Sequence, residues 1–178
     1  MRKLFKKNIR LGILGGTFDP PHGGHLHISK VALKKLKLNK LIWIVTEKNP
    51  LKKKPYLKIK ARIKLAKNIT SKEKKIFVQY FDNKIKSNNT FDLLSYLKIK
   101  QNKTELFFLI GADNLAKFHK WNNWKKIPKL AKIAIFPRQN YSIKSLNPFA
   151  SKKLNKKDLI YMNSKKINIS SSLIRKFW

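Results

Sequence analysis

Cysteine is absent from this chain of 178 residues. Its absence excludes a disulfide scaffold, a thiolate zinc site and a cysteine nucleophile. A continuous apolar run of about 18 residues, which a membrane-spanning helix requires, is missing as well. The basic N-terminal segment lacks the long apolar stretch and the small-residue cleavage site of a secretory signal peptide. These absences lead us to expect a cytoplasmic protein.

Acidic residues are scarce, since 8 Asp and Glu stand against 43 Lys and Arg, and the formal net charge is +35. Such a charge is typical of proteins that bind nucleic acid or anionic membranes. Only five of the basic residues are Arg, however, and the planar guanidinium suits phosphate and guanine better than the Lys ammonium does. Lys, Asn and Ile have A/T-rich codons, so the base composition of a genome accounts for their abundance without any partner. We therefore expect no specific nucleic-acid partner and no membrane partner, with selected polyanion binding as the alternative.

Apolar residues make up 42% of the chain, which is enough for a buried core in a single domain over residues 1–178. Short apolar runs predict strands over residues 11–14, 41–45, 76–80, 106–110, 133–136 and 159–162. Helical spacing of apolar residues predicts helices over 24–38, 59–69, 90–97 and part of 121–130, with a last helix opening at Ser170. This alternation predicts an α/β fold with a mainly parallel sheet covered by helices on both faces. Ligands of such folds bind at the carboxyl ends of the strands, so the functional residues should follow the strands directly.

The sequence Gly-Gly-Thr-Phe-Asp-Pro-Pro-His-Gly-Gly-His-Leu, residues 15–26, follows the first predicted strand and leads into the first helix. Paired glycines allow close approach of the backbone, and amides at a helix N-terminus favour a phosphate. His22 and His25 stand three residues apart, where two imidazoles can donate to the developing charge of a phosphoryl transition state. Helix capping and a zinc pair are the alternatives. Zinc would need further ligands, and His27 and His119 have no matching carboxylate or cysteine cluster.

Three motifs together resemble those of the nucleotidyltransferase superfamily with a His-x-Gly-His signature, and within it the bacterial nicotinate-nucleotide adenylyltransferases. Residues 15–25 are similar to the opening motif, residues 110–113 to the loop after the fourth strand, and residues 169–175 to the closing Ile-Ser-Ser-Ser-Leu-Ile-Arg motif. The resemblance covers nearly the whole chain. It implies a Rossmann-like domain that transfers AMP from ATP to nicotinate mononucleotide and releases pyrophosphate.

The resemblance also implies roles for individual residues. His22 and His25 would hold the transition state. ATP would be contacted by residues of all three motifs and by one further arginine: Gly16, Thr17, Phe18, Gly111, Asp113, Arg138, Ser171, Ser172 and Arg175. On the acceptor side, Thr90 would face the nicotinate carboxylate, Trp121 would stack on the pyridine ring and Lys52 would meet phosphate. Mg²⁺ would arrive on the ATP phosphates, because it usually keeps waters and binds substrate oxygens rather than a protein cage. No metal site of the protein itself is expected.

Other interpretations of the same residues stay open. Phosphopantetheine adenylyltransferase and a cytidylyltransferase share the superfamily, and a basic nucleic-acid-binding domain is the alternative from another class. For Trp124, core packing is the favoured role. The chain stops at Trp178 without the further helix that the family usually carries, and residues 138–157 are short and basic. These departures leave the C-terminal packing and a homo-oligomeric assembly open.

Overall fold

Six strands form one sheet in the part of the chain that the computed structural model describes, which is residues 9–51, 53–101, 103–138, 154–164 and 169–178. The strands are β1 (Ile9–Gly16), β2 (Lys40–Val45), β3 (Ile76–Gln79), β4 (Thr104–Gly111), β5 (Lys132–Phe136) and β6 (Leu159–Tyr161). Their order is β3-β2-β1-β4-β5-β6, and every neighbouring pair is parallel. The predicted parallel α/β sheet is therefore confirmed.

Helices connect the strands. They are α1 (Gly23–Lys35), α2 (Ile59–Thr70), α3 (Asp82–Ile85), α4 (Thr90–Lys100), α5 (Ala112–Ala116), α6 (Ile127–Leu130) and α7 (Ser171–Ile174). Short 3-10 turns lie at Phe118–Lys120, Trp124–Lys126, Lys156–Asp158 and Arg175–Phe177. The sequence did not predict α3 and α5, because four or five residues are too few to display a helical period. No helix among the described residues is long and apolar enough to cross a membrane.

Helix α1 ends before the predicted boundary at residue 38. Lys37 adopts a left-handed conformation with φ of 48°, and the N–H of Leu38 donates to the carbonyl of Leu33 at 3.1 Å. This six-residue closure is the usual way in which a helix satisfies its last carbonyls. Leu38 is thereby turned back into the core, where it is 3% exposed.

The core has two layers, one on each face of the sheet. On one face, Leu94 of α4 and Ile127 of α6 pack against Phe108 of β4. On the other face, Ala32 of α1 and Ala66 of α2 pack in the layer that contains Trp43. Strands covered on both faces bury their side chains in both directions, which explains the unbroken apolar run of β4.

The strand order places a crevice at the carboxyl edge of the sheet. From β1 the chain proceeds outward through β2 and β3, and from β4 it proceeds in the opposite direction through β5 and β6. The loops after β1 and β4 therefore leave toward opposite faces and open a gap between them. Such a topological switch point is where open α/β sheets bind their ligands.

Candidate active site

A cavity of about 280 Å³ lies at this edge of the sheet. It is lined by the loops after β1, β2, β4 and β5 and by the first residues of α4 and α7. The cavity brings together most of the predicted site residues: Gly16, Thr17, Phe18, His22, His25, Thr90, Gly111, Trp121, Arg138, Ser171 and Ser172. Asp113 and Arg175 are outside the lining, and the predicted Lys52 lies outside the described residues.

The two motif histidines cap helix α1 with their rings. Nδ1 of His22 accepts the N–H of Gly24 at 3.1 Å, and Nδ1 of His25 accepts the N–H of His22 at 3.2 Å. The pair thus forms a capping box, a role usually played by a hydroxyl and a carboxamide or carboxylate. The ring centroids are 3.8 Å apart. Capping, an alternative to catalysis in the sequence, is therefore a real role of this pair, and it also fixes how the rings face the cavity.

The capping bonds determine which nitrogen of each ring carries the proton. Because Nδ1 accepts a backbone N–H, the proton lies on Nε2, which becomes a donor. Burial, followed by the nearby positive charge of Arg138, lowers the pKa of His22 to about 4. His22 is therefore neutral near pH 7 and can donate a hydrogen bond without carrying a charge.

Phe18 supports the histidines from below. Its backbone adopts a left-handed φ of 48°, which is strained for a bulky residue. Its ring stacks on Trp43 with centroids 4.9 Å apart and touches the ring of His25 at 4.8 Å. Trp43 is itself fixed by a hydrogen bond from its indole N–H to Ser29 Oγ at 2.8 Å. His25 consequently rests on a packed aromatic layer rather than on a mobile loop.

Arg62 joins the loops after β1 and β2 from beneath, and sequence reasoning missed it. The residue is 2% exposed, and its guanidinium donates to backbone carbonyls at 2.6–2.9 Å, those of Leu57, Thr17, Thr46 and Glu47. Burial lowers its pKa, and the carboxylates around it act in the opposite direction. A guanidinium stays charged in proteins and can satisfy several carbonyls at once. Arg62 therefore sets the spacing of two cavity-lining loops.

Asp19 connects the β1 loop with the C-terminal helix. Its buried carboxylate accepts the N–H groups of Tyr56 and of the next residue at 2.9 and 3.0 Å. Arg175 donates to the carbonyl of Asp19, approaches its carboxylate at 3.7 Å and lies over the Tyr56 ring at 5.2 Å. Ser171 donates to the carbonyl of Pro20 at 2.8 Å, so α7 is docked onto this loop.

The residues predicted to bind the acceptor lie on the α4 face of the sheet. Thr90 is the first residue of α4 and lines the cavity. Trp121 lines it too, and packs against Phe118 at 5.1 Å and Phe108 at 5.9 Å. Trp124 is partly buried; it packs edge-on against Phe118 at 6.3 Å and against the core layer on this face, as predicted.

Other cavity residues were not predicted. Asp82 accepts Thr46 Oγ1 at 2.7 Å and the N–H of Glu47 at 2.8 Å, so its carboxylate holds the β2 loop at the cavity rim. Asn114 lines the cavity one residue after Asp113, whose carboxylate lies against Gly111 in the first turn of α5. Asp82 could have been suspected from its rarity, since acidic residues number only 8 in the chain.

Comparison with known proteins identifies the same family at two levels. The cytidylyltransferase-like family model matches residues 13–177. A "probable nicotinate-nucleotide adenylyltransferase" of Pelagibacter ubique is 48% identical over 173 residues, which is 97% of this chain and 96% of that protein. A protein of the same description from Bradyrhizobium sp. strain ORS 278 is 36% identical over 146 residues, covering 82% of this chain and 76% of its own length.

Solved structures support the fold. The Plasmodium falciparum nicotinic acid mononucleotide adenylyltransferase complexed with NaAD has a TM-score of 0.78 at 21% identity, covering 95% of this chain and 83% of that one. The same enzyme complexed with APC has a TM-score of 0.75 at the same identity and coverage. At identities this low, the structural similarity establishes the shared fold alone, and the sequence relatives establish the family. The chain belongs to the cytidylyltransferase-like family and, within it, to the nicotinate-nucleotide adenylyltransferases.

Proposed function

We propose that this chain transfers the adenylyl group of ATP to nicotinate mononucleotide, forming nicotinate adenine dinucleotide and pyrophosphate for the synthesis of NAD. The family relatives support this reaction. The observation that carries it is the pair of imidazoles of His22 and His25 that cap helix α1 and whose Nε2–H groups are donors in a cavity at the switch point of the sheet. Phosphopantetheine adenylyltransferase and nucleic-acid binding are not favoured.

The reaction needs positioning and charge stabilisation more than it needs a base. An oxygen of the acceptor's 5′-phosphate attacks the α-phosphorus of ATP, and the bond from that phosphorus to the pyrophosphate oxygen breaks. A phosphate monoester has a second pKa of about 6, so the nucleophile is already ionised near pH 7. Two preorganised donors can then stabilise the charge on the transferred phosphoryl oxygens. We assign this role to the Nε2–H groups of His22 and His25.

The ATP side is proposed on the remaining motif residues. Hydroxyls of Ser171 and Ser172 line the cavity at the start of α7, and the β1 loop contributes backbone around Gly16 and Thr17. Arg138 lines the same cavity and is close enough to affect His22 electrostatically. Four further ATP contacts are proposed on the resemblance to the family alone, those of Phe18, Gly111, Asp113 and Arg175. To contact ATP, the Arg175 side chain has to turn away from Asp19 and toward the triphosphate.

Mg²⁺ is proposed to reach the site with the triphosphate. The described residues hold no group of three or more His, Cys, Asp or Glu side chains arranged for a metal ion. Phosphate oxygens and water are the ligands that Mg²⁺ prefers, and the ion would neutralise charge on the leaving pyrophosphate. Asp82, a carboxylate on the cavity rim, is the described side chain best suited to meet its waters.

The acceptor is proposed to bind between Thr90 and Trp121. Thr90 offers a hydroxyl, and the N–H groups in the first turn of α4, which are not capped by the Asn89 side chain, can donate to a carboxylate. The nicotinamide form would present its NH₂ to these donors and leave one unpaired, which costs roughly 1–3 kcal/mol for a buried group. Stacking on Trp121 would serve both forms equally.

A pyrophosphate-release assay with ATP, Mg²⁺ and a panel of acceptors tests the proposal. The panel contains nicotinate mononucleotide, nicotinamide mononucleotide and phosphopantetheine. We expect turnover with the nicotinate form and a preference over the nicotinamide form of about 10⁴ in kcat/KM, as mismatches of several polar groups can give. Release with phosphopantetheine alone would overturn the proposal.

The histidine role has its own test. Replacing His25 with Ala should lower kcat by about 10²–10³ while the chain stays folded, because one preorganised donor is lost. Near-normal turnover in the folded variant would refute this role. A cytoplasmic location and the absence of a specific nucleic-acid partner stay predictions of the sequence, and the oligomeric state stays open.

A further inference from the structure

The cavity holds very few of the chain's many cations. Among the lysines that the structure describes, Lys120 alone lines the cavity, and among the described arginines Arg138 alone does so. A chain with a net charge of +35 therefore presents two permanent positive charges to a ligand from these described residues. Because both substrates are anionic, the position of each of these charges indicates which part of a substrate it can contact.

The two cations occupy different parts of the cavity. Arg138 follows β5, and its charge lowers the pKa of His22, so it lies on the side where the phosphoryl group is transferred. Lys120 ends the 3-10 turn that directly precedes Trp121. Phe118 of the same turn packs in the core layer that also contains Leu93 of α4. Lys120 therefore lies on the α4 face of the sheet, together with Trp121 and the start of α4.

The Lys120 side chain is uncommitted within the described part of the chain. Its ammonium makes no hydrogen bond or ion pair with the described residues, and the side chain is exposed at the cavity. The backbone beneath it is fixed, since the N–H of Lys120 donates to the carbonyl of Lys117 at 3.0 Å and that of Trp121 to Phe118 at 3.0 Å. Lys120 thus has a flexible side chain on a hydrogen-bonded backbone, next to Trp121, which is proposed to stack on the acceptor.

We propose that Lys120 is a specificity-determining residue that selects the carboxylate form of the acceptor, with Nζ donating to the carboxylate of the nicotinate ring. This inference rests on the proposed function and adds a charge to the hydroxyl and amide donors of α4. The nicotinate and nicotinamide forms share the same phosphate and ribose and differ by one negative charge on the ring substituent. The Nζ ammonium attracts the carboxylate through a full unit charge, whereas it meets only the dipole of the amide, so it favours the charged form.

The test measures both acceptors with variants of Lys120. In Lys120→Gln, kcat/KM for nicotinate mononucleotide should fall about tenfold, or about 1.4 kcal/mol, while the value for nicotinamide mononucleotide stays within about twofold. Lys120→Arg keeps the charge and should restore most of the preference. Lys117→Gln is the matched control, because Lys117 is exposed in the same segment and outside the cavity lining, and removes the same charge from the chain. It should leave the ratio of the two acceptors unchanged.

Equal losses for both acceptors in Lys120→Gln would mean that Lys120 meets the shared phosphate and would overturn the proposal, as would no loss at all. Quenching of tryptophan fluorescence gives a second measurement, because it reports binding of each mononucleotide without turnover. The affinity for the nicotinate form must fall in Lys120→Gln and that for the nicotinamide form must not. Failure of the wild-type chain to adenylylate either acceptor would instead refute the proposed reaction, and the binding measurement would still decide the role of Lys120.

Discussion

Replacing Gly24 with Ala tests whether the position of the His22 ring controls catalysis. A Cβ at residue 24 would lie 2.9 Å from both Nδ1 and Cε1 of His22 and 3.0 Å from Cγ2 of Ile169. Real Cβ atoms do not approach this closely, so the imidazole has to move away from the helix. That movement lengthens the 3.1 Å bond from the Gly24 N–H to Nδ1, which at present fixes both the ring and its proton.

The expected effect on rate is large and the effect on stability is small. A displacement of about 1 Å in a catalytic group can cost about 10² in rate, and complete loss of one transition-state donor costs about 10²–10³. We therefore expect kcat of Gly24→Ala to fall about 10²-fold. A weakened cap costs about 0.5–2 kcal/mol, whereas replacing Gly by Ala in a compatible conformation returns about 0.4–1 kcal/mol. The free energy of unfolding should change by about 1 kcal/mol or less.

Gly23→Ala is the matched control, because both glycines lie in the first turn of α1 and a Cβ at Gly23 meets nothing within 4 Å. Pyrophosphate release at saturating ATP and acceptor gives kcat for both variants, and urea unfolding gives their stabilities. We expect Gly23→Ala to retain near-normal kcat and to be slightly stabilised. The reasoning fails if folded Gly24→Ala keeps kcat within about threefold of the wild type, or if both variants lose rate equally.

Two further outcomes follow from buried charged and titratable groups. Arg62→Met should lower the free energy of unfolding by about 3 kcal/mol or more, because it removes the buried donor of several backbone carbonyls. Urea unfolding at pH 7 measures this change. A loss under about 1 kcal/mol would contradict the view that Arg62 holds the two loops together. Comparison of His22→Asn, which keeps a capping side chain, with the wild type tests the lowered pKa. An unfolded His22 takes up its proton near pH 6.5 and the folded one only near pH 4, so the wild type should lose about 2 kcal/mol more than the variant between pH 7 and pH 5. Urea unfolding at the two pH values measures this difference. If the wild type and His22→Asn lose the same free energy of unfolding between pH 7 and pH 5, the result argues against burial of a neutral ring.

The fold could be predicted from local patterns because each pattern had a direct physical cause. The unbroken apolar run of β4 reflects a strand covered on both faces, and the boundaries of β2 and β5 follow from similar runs. Ser170, predicted to open the last helix, does cap α7 by accepting the N–H of Leu173 at 3.1 Å. These signals lie within a few residues of the structure that they specify.

The support of the site could not be predicted in this way, because it depends on contacts between distant residues. Arg62 donates to the carbonyl of Thr17, 45 residues earlier, and Asp19 meets Arg175, 156 residues later. Neither residue belongs to a short pattern that calls for such a partner. The usable signal was rarity. Arginines and acidic residues are few in this chain, so each one is informative wherever it occurs. Lysine serves equally well on an open surface, but its ammonium cannot replace a guanidinium that donates to several carbonyls.

The same contrast bears on how a chain of such high charge would discriminate between anions in the proposed reaction. At physiological ionic strength the screening length is about 8 Å, so exposed lysines attract any anion weakly and without regard to its structure. Discrimination requires groups held at fixed positions and partly shielded from water, where one charge or one unpaired donor has a larger effect. In the described part of the chain such groups include the imidazoles of His22 and His25 and the donors at Thr90. The cations Arg138 and Lys120 add positive charge beside them. The excess of lysine therefore raises the general attraction for anions, and in the proposed reaction the cavity residues would decide which anion reacts.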